Sequence, residues 1–178
     1  MVIYFITGNS GKLGEAKSVI PEIEQIDLNL PEIQELDAKK IIEEKLNSAI
    51  NENKGSFFCE DTSVYIDSLG GLPGPLIKWF LQALGDKGIA ELVERYENKS
   101  ATAKTFLGYI GEDKKILFFE GKVRGKIVAP RGDGGFGWDK IFQPEGYEKT
   151  FGEMTLAEKE ETSMRKQALI KLKRFLGK

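Results

Sequence analysis

The first residues of the chain form a short apolar segment that ends in a glycine turn. Four of the six residues from Val2 to Thr7 are valine, isoleucine or phenylalanine, and this density predicts a buried strand. A helical pattern follows over about residues 12–20 and ends at Pro21, and residues 23–28 are predicted to form a second strand. A strand, a helix and a strand in this order restrict the chain to the α/β class of folds.

The rest of the chain continues this alternation. Asp37 is predicted to cap one helix, and Thr155 with Glu158 forms a capping box for the last helix. The predicted helices cover about residues 37–53, 76–84, 86–96 and 155–176. The predicted strands cover residues 57–59, 64–67, 102–109, 116–119 and 123–128. Because the 178 residues hold no repeat, low-complexity run or linker, we predict a single domain, residues 1–178, with a mixed sheet.

The composition excludes several kinds of active site. The sequence holds no histidine, so the usual serine and cysteine triads and histidine zinc sites are excluded. Its single cysteine, Cys59, excludes an intramolecular disulfide and a cysteine-rich metal site. Carboxylates, lysines, arginines, tyrosines and a hard metal ion remain available for catalysis.

Charge and hydropathy limit the partners of the protein. A net charge of −2 argues against a general nucleic-acid coat or a polybasic membrane binder. No stretch reaches the ~20 apolar residues of a membrane helix, and the first residues lack the basic leader of a secretory signal. We therefore expect a cytoplasmic protein that binds neither nucleic acid nor membranes.

The segment Thr7–Lys12 is predicted to contain a strand end, a tight turn and the N-terminus of a helix. Exposed backbone N–H groups and a lysine at such a turn suit a phosphate group. The segment is not a P-loop, which has four residues between its glycines and a serine or threonine after the lysine. Here two residues separate Gly8 from Gly11, and Leu13 follows the lysine. An ordinary strand–helix turn is the alternative.

The adjacent carboxylates Glu60 and Asp61 indicate chemistry with a metal ion and water. Because successive side chains of an extended chain point to opposite faces, one could bind Mg²⁺ while the other polarises water. The alternative, which these two residues alone favour, is a turn with incidental acids. Glu32 carries no signal by itself.

Residues 132–137 match the dinucleotide-binding pattern G-x-G-x-x-G. That pattern requires a helix directly afterwards, whereas residues 138–142 are predicted to be extended. The loop does offer Phe136 and Trp138 beside Asp139, a combination that can stack on a base and read it. A packed aromatic loop is the alternative.

Two sulfur-containing residues are predicted to belong to the core. Cys59 lies in an apolar strand. Met164 shares one face of the last helix with Ala168, Leu172 and Phe175.

Together and in this order, the motifs resemble the inosine triphosphate pyrophosphatase (ITPase) family from end to end, with more similarity to eukaryotic-type members. The resemblance rests on T-G-N-x-x-K-x-x-E at residues 7–15, L-P-E at 30–32, E-D-T at 60–62 and G-G-L-P-G-P-x-I-K-W-F at 70–80. It continues with A-P-R-G at 129–132, F-G-W-D at 136–139, E-M-x-x-x-E-K at 153–159 and S-x-R at 163–165. It implies an α/β fold of two lobes around a long twisted mixed β-sheet, with a nucleotide cleft between the lobes.

The resemblance implies hydrolysis of ITP, dITP and XTP to the monophosphate and pyrophosphate, which removes non-canonical purines from the nucleotide pool. It implies Mg²⁺ held by Glu32 and Glu60, and catalysis by Asp61, Lys12 and Glu60. In this assignment Asp61 positions or deprotonates the attacking water. The family also implies a homodimer, for which the aromatic segment Trp79-Phe80 is a candidate interface.

The same resemblance implies a set of substrate-binding residues. The triphosphate would contact Thr7, Gly8, Asn9 and Lys12. Lys45 would be the counterpart of a substrate-binding lysine of the family, and Lys78 would lie at the mouth of the cleft. The spacing of Lys45 from Glu32 is displaced by one residue from the family pattern. The nucleoside pocket would comprise Phe136, Gly137, Trp138, Asp139, Lys159, Ser163 and Arg165, with Phe136 stacking on the base and Arg165 donating to a 6-keto oxygen.

One position departs from the family. The family's Ser-His-Arg is Ser163-Met164-Arg165 here. Loss of the imidazole affects base discrimination more than hydrolysis, so we expect activity with altered purine selectivity. The alternatives are a pyrophosphatase for other modified nucleotides and a non-catalytic nucleotide-binding module. Carboxylates beside the phosphate contacts argue against the second alternative.

Overall fold

The computed structural model describes residues 2–28, 30, 32–52 and 55–177. The helices are α1 (Ser10–Val19), α2 (Ala38–Glu52), α3 (Ile77–Glu94), α4 (Leu156–Thr162) and α5 (Met164–Phe175). The strands are β1 (Ile3–Ile6), β2 (Ile23–Ile26), β3 (Ser56–Ile66), β4 (Pro73–Gly74), β5 (Ser100–Ile110), β6 (Ile116–Ile127) and β7 (Phe142–Pro144). None of the helices in these ranges is long and apolar enough to cross a membrane.

The strands form one seven-stranded sheet in the order β2-β1-β3-β5-β6-β7, with β4 paired to β3. Strand β1 runs parallel to β2 and β3, whereas β4 pairs antiparallel with β3 and β7 with β6. The α/β class and the mixed sheet predicted from the sequence are therefore confirmed.

The chain divides into two compact units, and each is built from separate stretches of sequence. Unit 1 comprises residues 1–61, 105–121 and 165–178, and unit 2 comprises residues 62–104 and 122–164. Strands β3, β5 and β6 each contribute residues to both units. That the whole chain acts as one domain with a cleft between two lobes stays a prediction.

Unit 1 packs helices onto the strand residues it contains, in two apolar clusters. The first cluster joins Ile3 and Phe5 of β1 to Ala16 of α1 and to Leu169 and Leu172 of α5. The second sets α2 against β3 and β5, and its buried members are Ile42, Leu46, Phe57, Cys59 and Ile110. These clusters hold the ends of β1 and β2 and the middle of β3 in place, which is where the first group of polar residues lies.

Unit 2 has its own apolar core. Its buried members include Val64, Ile89, Ala103, Phe142 and Phe151, which come from strands, from α3 and from the loop after β7. Met164 is also part of this core and is 5% exposed, so the prediction that it is a core residue is confirmed. Cys59 in unit 1 is likewise buried.

Two sequence boundaries were predicted wrongly because long strands were divided. Residues 57–59 and 64–66 belong to one strand, β3, so Glu60 and Asp61 lie in the middle of a strand and not at its end, and residue 67 begins a short 3₁₀ turn. Residues 116–119 and 123–127 likewise belong to one strand, β6. Glycine and charged residues within these stretches suppress the apolar alternation, and pairing with neighbouring strands overrides that local signal.

The helical predictions differ from the structure at two places. The helix expected over residues 155–176 is interrupted at Ser163, whose extended backbone separates α4 from α5. Residues 139–141, expected to be extended, form a short 3₁₀ turn before β7. The predicted break within α3 is confirmed, since Gly85 has a positive φ of 69° and a non-helical ψ. The capping box of Thr155 and Glu158 is also confirmed.

Candidate functional site

The turn between β1 and α1 is built by side chains that bond to its own backbone. The Thr7 hydroxyl accepts a hydrogen bond from the Asn9 N–H at 3.1 Å, and the Asn9 side chain caps α1 by accepting from the Lys12 N–H at 3.1 Å. The Gln25 side chain donates to the Thr7 carbonyl at 2.7 Å and ties the turn to β2. Gly8 and Asn9 are exposed, so the turn predicted to contact phosphate is accessible in unit 1.

A buried group of charges lies beside this turn. Lys12 Nζ is 3.0 Å from one carboxylate oxygen of Glu60, and Arg165 Nε donates to the other at 2.8 Å. Arg165 also donates through Nη1 to Glu15 at 2.8 Å. Two cations and two carboxylates therefore alternate, which compensates the cost of burying each charge.

Glu60 is ionised at neutral pH in this setting. Burial alone would raise its pKa, but the charges of Arg165 and Lys12 and their hydrogen bonds outweigh burial and lower the pKa from 4.5 to about 2. Burial would likewise lower the pKa of Arg165, and the charges of Glu60 and Glu15 outweigh it and raise that pKa. The group therefore keeps a carboxylate that can accept from a cation or a hydrogen-bond donor.

A cavity of about 230 Å³ opens next to Glu60 within unit 1. Its charged lining consists of Lys12, Asp27, Glu32, Lys45 and Glu60. The structure thus brings together four of the predicted residues, and Lys45 Nζ lies 2.7 Å from the Glu32 carboxylate. Thr7 and Gly8 also line the cavity.

The sequence analysis missed Asp27 and gave Glu15 no role. Asp27 follows the end of β2, and its carboxylate oxygens lie 3.4 Å from the position that a Cβ on Gly8 would occupy. Ligands commonly bind at the carboxyl ends of parallel strands, so an acid directly after β2 was a usable signal. Glu15 stands in the quoted motif, but only the fold shows that it faces Arg165.

Asp61 occupies the next position of β3 and is partly exposed. Because side chains alternate along a strand, Asp61 points to the face opposite Glu60. The cavity residues include Glu60 but not Asp61, so the predicted action of Asp61 on the attacking water requires a substrate that extends from this cavity to the Asp61 side of β3. Cys59 lines the cavity, but burial raises the pKa of its thiol to about 12, so it is not a nucleophile at neutral pH.

The lining of the cavity suits a hard cation that arrives with a phosphate ligand. Among the described residues, no three acid or cysteine side chains form a ready-made metal cage. Mg²⁺ is usually bound by one or two protein carboxylates together with substrate phosphates. Glu32 and Glu60 provide two carboxylates on one cavity, and Glu60 is ionised. In this structure Lys45 bonds Glu32, and Lys12 and Arg165 bond Glu60. The donor set therefore fits Mg²⁺ once the metal displaces a lysine from each carboxylate.

A second polar cluster lies in unit 2, around Phe136. Asp139 is 3% exposed, and Lys159 Nζ lies 2.6 Å from its Oδ2. The Phe136 N–H donates to the same oxygen at 2.8 Å. The Phe136 ring itself is 54% exposed. An exposed aromatic face beside a buried ion pair is an arrangement that can stack on a planar base.

The structure places the other residues predicted for the nucleoside pocket as follows. Trp138 is a core residue at 7% exposure, packed edge-on against Phe142. Gly137 has a positive φ of 62°. Ser163 is buried at the C-cap of α4, and Lys78 is an exposed cation 5.7 Å from the centre of the Trp79 ring.

Arg165 has contacts that the sequence analysis did not anticipate. It was predicted to donate to the base, yet its side chain is 5% exposed and bonds Glu60 and Glu15 within unit 1. In this structure its guanidinium is engaged by carboxylates, so a role in base recognition would require it to exchange partners.

The fold and the site together define an α/β protein whose charged cavity suits a phosphate ligand and a hard cation. The chain belongs to the Ham1 family, whose sequence model matches residues 3–175. It is 42% identical to the inosine triphosphate pyrophosphatase of Schizosaccharomyces pombe, covering 98% of this chain and 94% of that protein. It is 40% identical to inosine triphosphate pyrophosphatase 1 of Trypanosoma cruzi, covering 96% of this chain and 90% of that protein.

A structural comparison agrees. The structure of a HAM1 protein from Coxiella burnetii superposes with a TM-score of 0.87 and 25% sequence identity, covering 99% of this chain and 98% of that chain. Both relatives at 40–42% identity come from eukaryotes. The resemblance predicted from the motifs is therefore confirmed.

Proposed function

We propose that this protein hydrolyses non-canonical purine nucleoside triphosphates, such as ITP, dITP and XTP, to the monophosphate and pyrophosphate. The observation that carries the proposal is the unit 1 cavity, where ionised Glu60 meets Lys12 and where Glu32, Lys45, Thr7 and Gly8 converge. Membership of the Ham1 family and relatives named inosine triphosphate pyrophosphatase support the same activity.

The phosphate groups are bound by the turn and by lysines. The first turn of a helix can bind an anion through backbone N–H groups, and the helix dipole favours negative charge at the start of α1. Lys12 and Lys45 supply positive charge on the cavity wall. These contacts neutralise charge that builds up on the leaving pyrophosphate during cleavage.

The reaction needs one water and one base. The water oxygen forms a bond to the α-phosphorus while the bond from that phosphorus to the bridging oxygen breaks, and pyrophosphate leaves. Asp61 accepts the proton of the water. Glu32 and Glu60 would hold Mg²⁺, which when bound supplies Lewis-acid stabilisation of the phosphate oxygens.

The second cluster recognises the base in this proposal. Phe136 offers a ring for stacking, Lys159 and Ser163 provide polar groups in unit 2, and Asp139 bonds both Phe136 and Lys159. Met164, in place of the family histidine, is packed in the apolar core, and its side chain has no N–H donor. We propose that the enzyme retains turnover with a weaker preference for 6-keto purines than the histidine would give.

We also propose a cytoplasmic homodimer that binds neither nucleic acid nor membranes. The candidate interface segment Trp79-Phe80 has one exposed and one partly buried residue. Trp79 is 47% exposed, whereas Phe80 packs against the unit 2 core. Trp79 and Leu84, both in the first half of α3, therefore provide the exposed apolar surface for such a contact.

The test is product analysis with ITP, XTP, ATP and GTP, each with Mg²⁺ and with EDTA, resolving pyrophosphate from orthophosphate. We expect Mg²⁺-dependent pyrophosphate release that is strongest with ITP or XTP. Equal release from all four would indicate a broader pyrophosphatase, and Met164→His would then test whether the missing imidazole is the cause. No release from any would favour a nucleotide-binding module.

A further inference from the structure

The loop that carries Phe136 is held from within unit 2. The Gly134 N–H donates to the Gly152 carbonyl at 3.0 Å, and the Thr150 hydroxyl donates to the Arg131 carbonyl at 3.0 Å. The base of the loop is therefore fixed to residues 150–152. Its tip, in contrast, exposes Phe136 to solvent, at 54%, so the ring is accessible for stacking.

Asp139 closes the tip through two reciprocal hydrogen bonds. Its backbone N–H donates to the Phe136 carbonyl at 3.2 Å, and its side-chain oxygen Oδ2 accepts the Phe136 N–H at 2.8 Å. Both polar groups of the Phe136 backbone are thereby bonded to one residue. Because Asp139 is 3% exposed, water competes little for these bonds.

The same carboxylate oxygen also fixes the cation beneath the ring. Lys159 Nζ lies 2.6 Å from Asp139 Oδ2. It also lies 5.3 Å from the centre of the Phe136 ring and 5.4 Å from that of Phe151. Such distances allow cation–π attraction to both rings. One oxygen atom therefore determines the position of the backbone that carries Phe136 and of the charge that faces its ring.

The neighbouring glycine leaves room for this carboxylate. Gly135 has a positive φ of 74°, and a Cβ at this position would lie 2.3 Å from Asp139 Oδ2. A side chain here would displace the carboxylate or the loop.

We propose that Asp139 is a positioning residue that acts through Phe136 and Lys159 and sets the orientation of the stacking surface, without contacting the base itself. This inference rests on the proposed function, because it assigns the ring to base binding. It predicts that loss of the Asp139 charge weakens recognition of the base and leaves the phosphate contacts in unit 1 unchanged.

The experiment compares Asp139→Asn with wild type. The asparagine keeps an oxygen for the Phe136 N–H but loses the ion pair with Lys159. Stacking on an aromatic side chain contributes about 1–3 kcal/mol per base, so misorientation of the ring should raise KM for ITP roughly tenfold, with kcat changed less than about twofold. The Ki of inorganic tripolyphosphate, which has no base, should not change. Asp133→Asn, an exposed carboxylate of the same loop, is the matched control.

A second pair of variants tests the position of the Asp139 carboxylate by changing a neighbouring glycine. Gly135→Ala should reproduce the rise in KM, since its Cβ collides with Asp139. Gly146→Ala also introduces a side chain at a positive φ, 82°, but into open space. It therefore separates general backbone strain from displacement of the carboxylate. This pair also keeps the inference testable if Asp139→Asn fails to fold.

Three results would overturn the inference. They are an unchanged KM in Asp139→Asn, a Ki for tripolyphosphate that rises in parallel with KM, and a Gly146→Ala variant as impaired as Gly135→Ala. Failure of the proposed function is a different result, namely no turnover of ITP by the wild type. The dissociation constant for inosine monophosphate, measured by calorimetry, would then replace KM in the same comparison.

Discussion

At the scale of single residues, the unit 1 site depends on charges that compensate one another. Glu60 is shared by Lys12 and Arg165, and Arg165 is shared by Glu60 and Glu15. Removing one member leaves its partner buried with less compensation, which is more costly than losing a surface ion pair. Residues of this group therefore affect both folding and activity, and an experiment has to separate the two effects.

Asp61 is the residue for which the two effects separate best. It is partly exposed and adjacent to Glu60. If Asp61 accepts the proton of the attacking water, Asp61→Asn should lower kcat by about 10²–10⁴-fold while the dissociation constant for ITP stays within about twofold. Steady-state kinetics with ITP and calorimetric titration measure these quantities, and Asp133→Asn is the control. Unchanged turnover would rule out this role.

Glu60 should make the stability of the protein depend on pH. Its pKa is lowered from 4.5 to about 2 in the folded state, so its stabilising contribution is present above pH 4.5 and is lost as pH falls towards 2. Glu60→Gln should cost about 3–5 kcal/mol at pH 7, and the difference from wild type should shrink below pH 4.5. Urea denaturation at pH 7, 4 and 3 checks this, and a difference that does not vary with pH would contradict it.

At the scale of helices and strands, the close approach of α2 to β5 depends on a glycine. A Cβ on Gly108 would lie 2.2 Å from Ile42 Cγ2 and 3.0 Å from Leu46 Cδ1, and both side chains are fully buried. Gly108→Ala should therefore destabilise the protein by about 1–3 kcal/mol. The free energy of unfolding in urea measures the effect.

Gly14 is a glycine at an exposed helical position, where a side chain would meet no neighbour. It lies within α1, and a Cβ there would meet nothing within 4 Å. Gly14→Ala should stabilise the protein by about 0.5–1 kcal/mol, because alanine loses less backbone entropy in a helix. If Gly108→Ala were as harmless as Gly14→Ala, the packing of α2 on β5 described above would be wrong.

The elements also show what local sequence patterns can predict. The capping box at Thr155 and the break at Gly85 were predictable, because each depends on residues within one turn of chain. The continuity of β3 was not, since Glu60 and Asp61 have low strand propensity and are held extended by pairing with other strands. The interruption at Ser163 was also missed, because the residues on both sides of it favour a helix.

At the scale of the whole molecule, the parts of the unit 1 site come from distant parts of the chain. The motifs identified Lys12, Glu32 and Glu60 through their resemblance to a family. The ion pairs of Arg165 with Glu60 and Glu15 join residues 105 and 150 positions apart. No local pattern reveals such pairs, because they depend on how α5 and α1 pack around β3. Lys12, Glu32 and Glu60 were thus predictable, whereas Asp27 and the mutual contacts of these residues were not.

The proposed dimer makes a prediction at this scale. Trp79 exposes 47% of its surface on α3, so Trp79→Ala should shift the protein from dimer to monomer in sedimentation velocity. Tyr96→Ala removes a similarly exposed aromatic, at 42%, from the end of the same helical region and should leave the dimer intact. A dimer that persists in Trp79→Ala would place the interface elsewhere.

The interleaving of the two units affects how the protein is made. The core of unit 1 includes Ala168, Leu169 and Leu172, which are synthesised after the last residue of unit 2, Met164. Domains often fold on the ribosome as soon as their sequence has emerged, but unit 1 lacks this part of its core until α5 has left the exit tunnel. Residues 1–61 should therefore remain susceptible to protease on a stalled nascent chain. Unit 2, whose last residue is Met164, has its full sequence earlier.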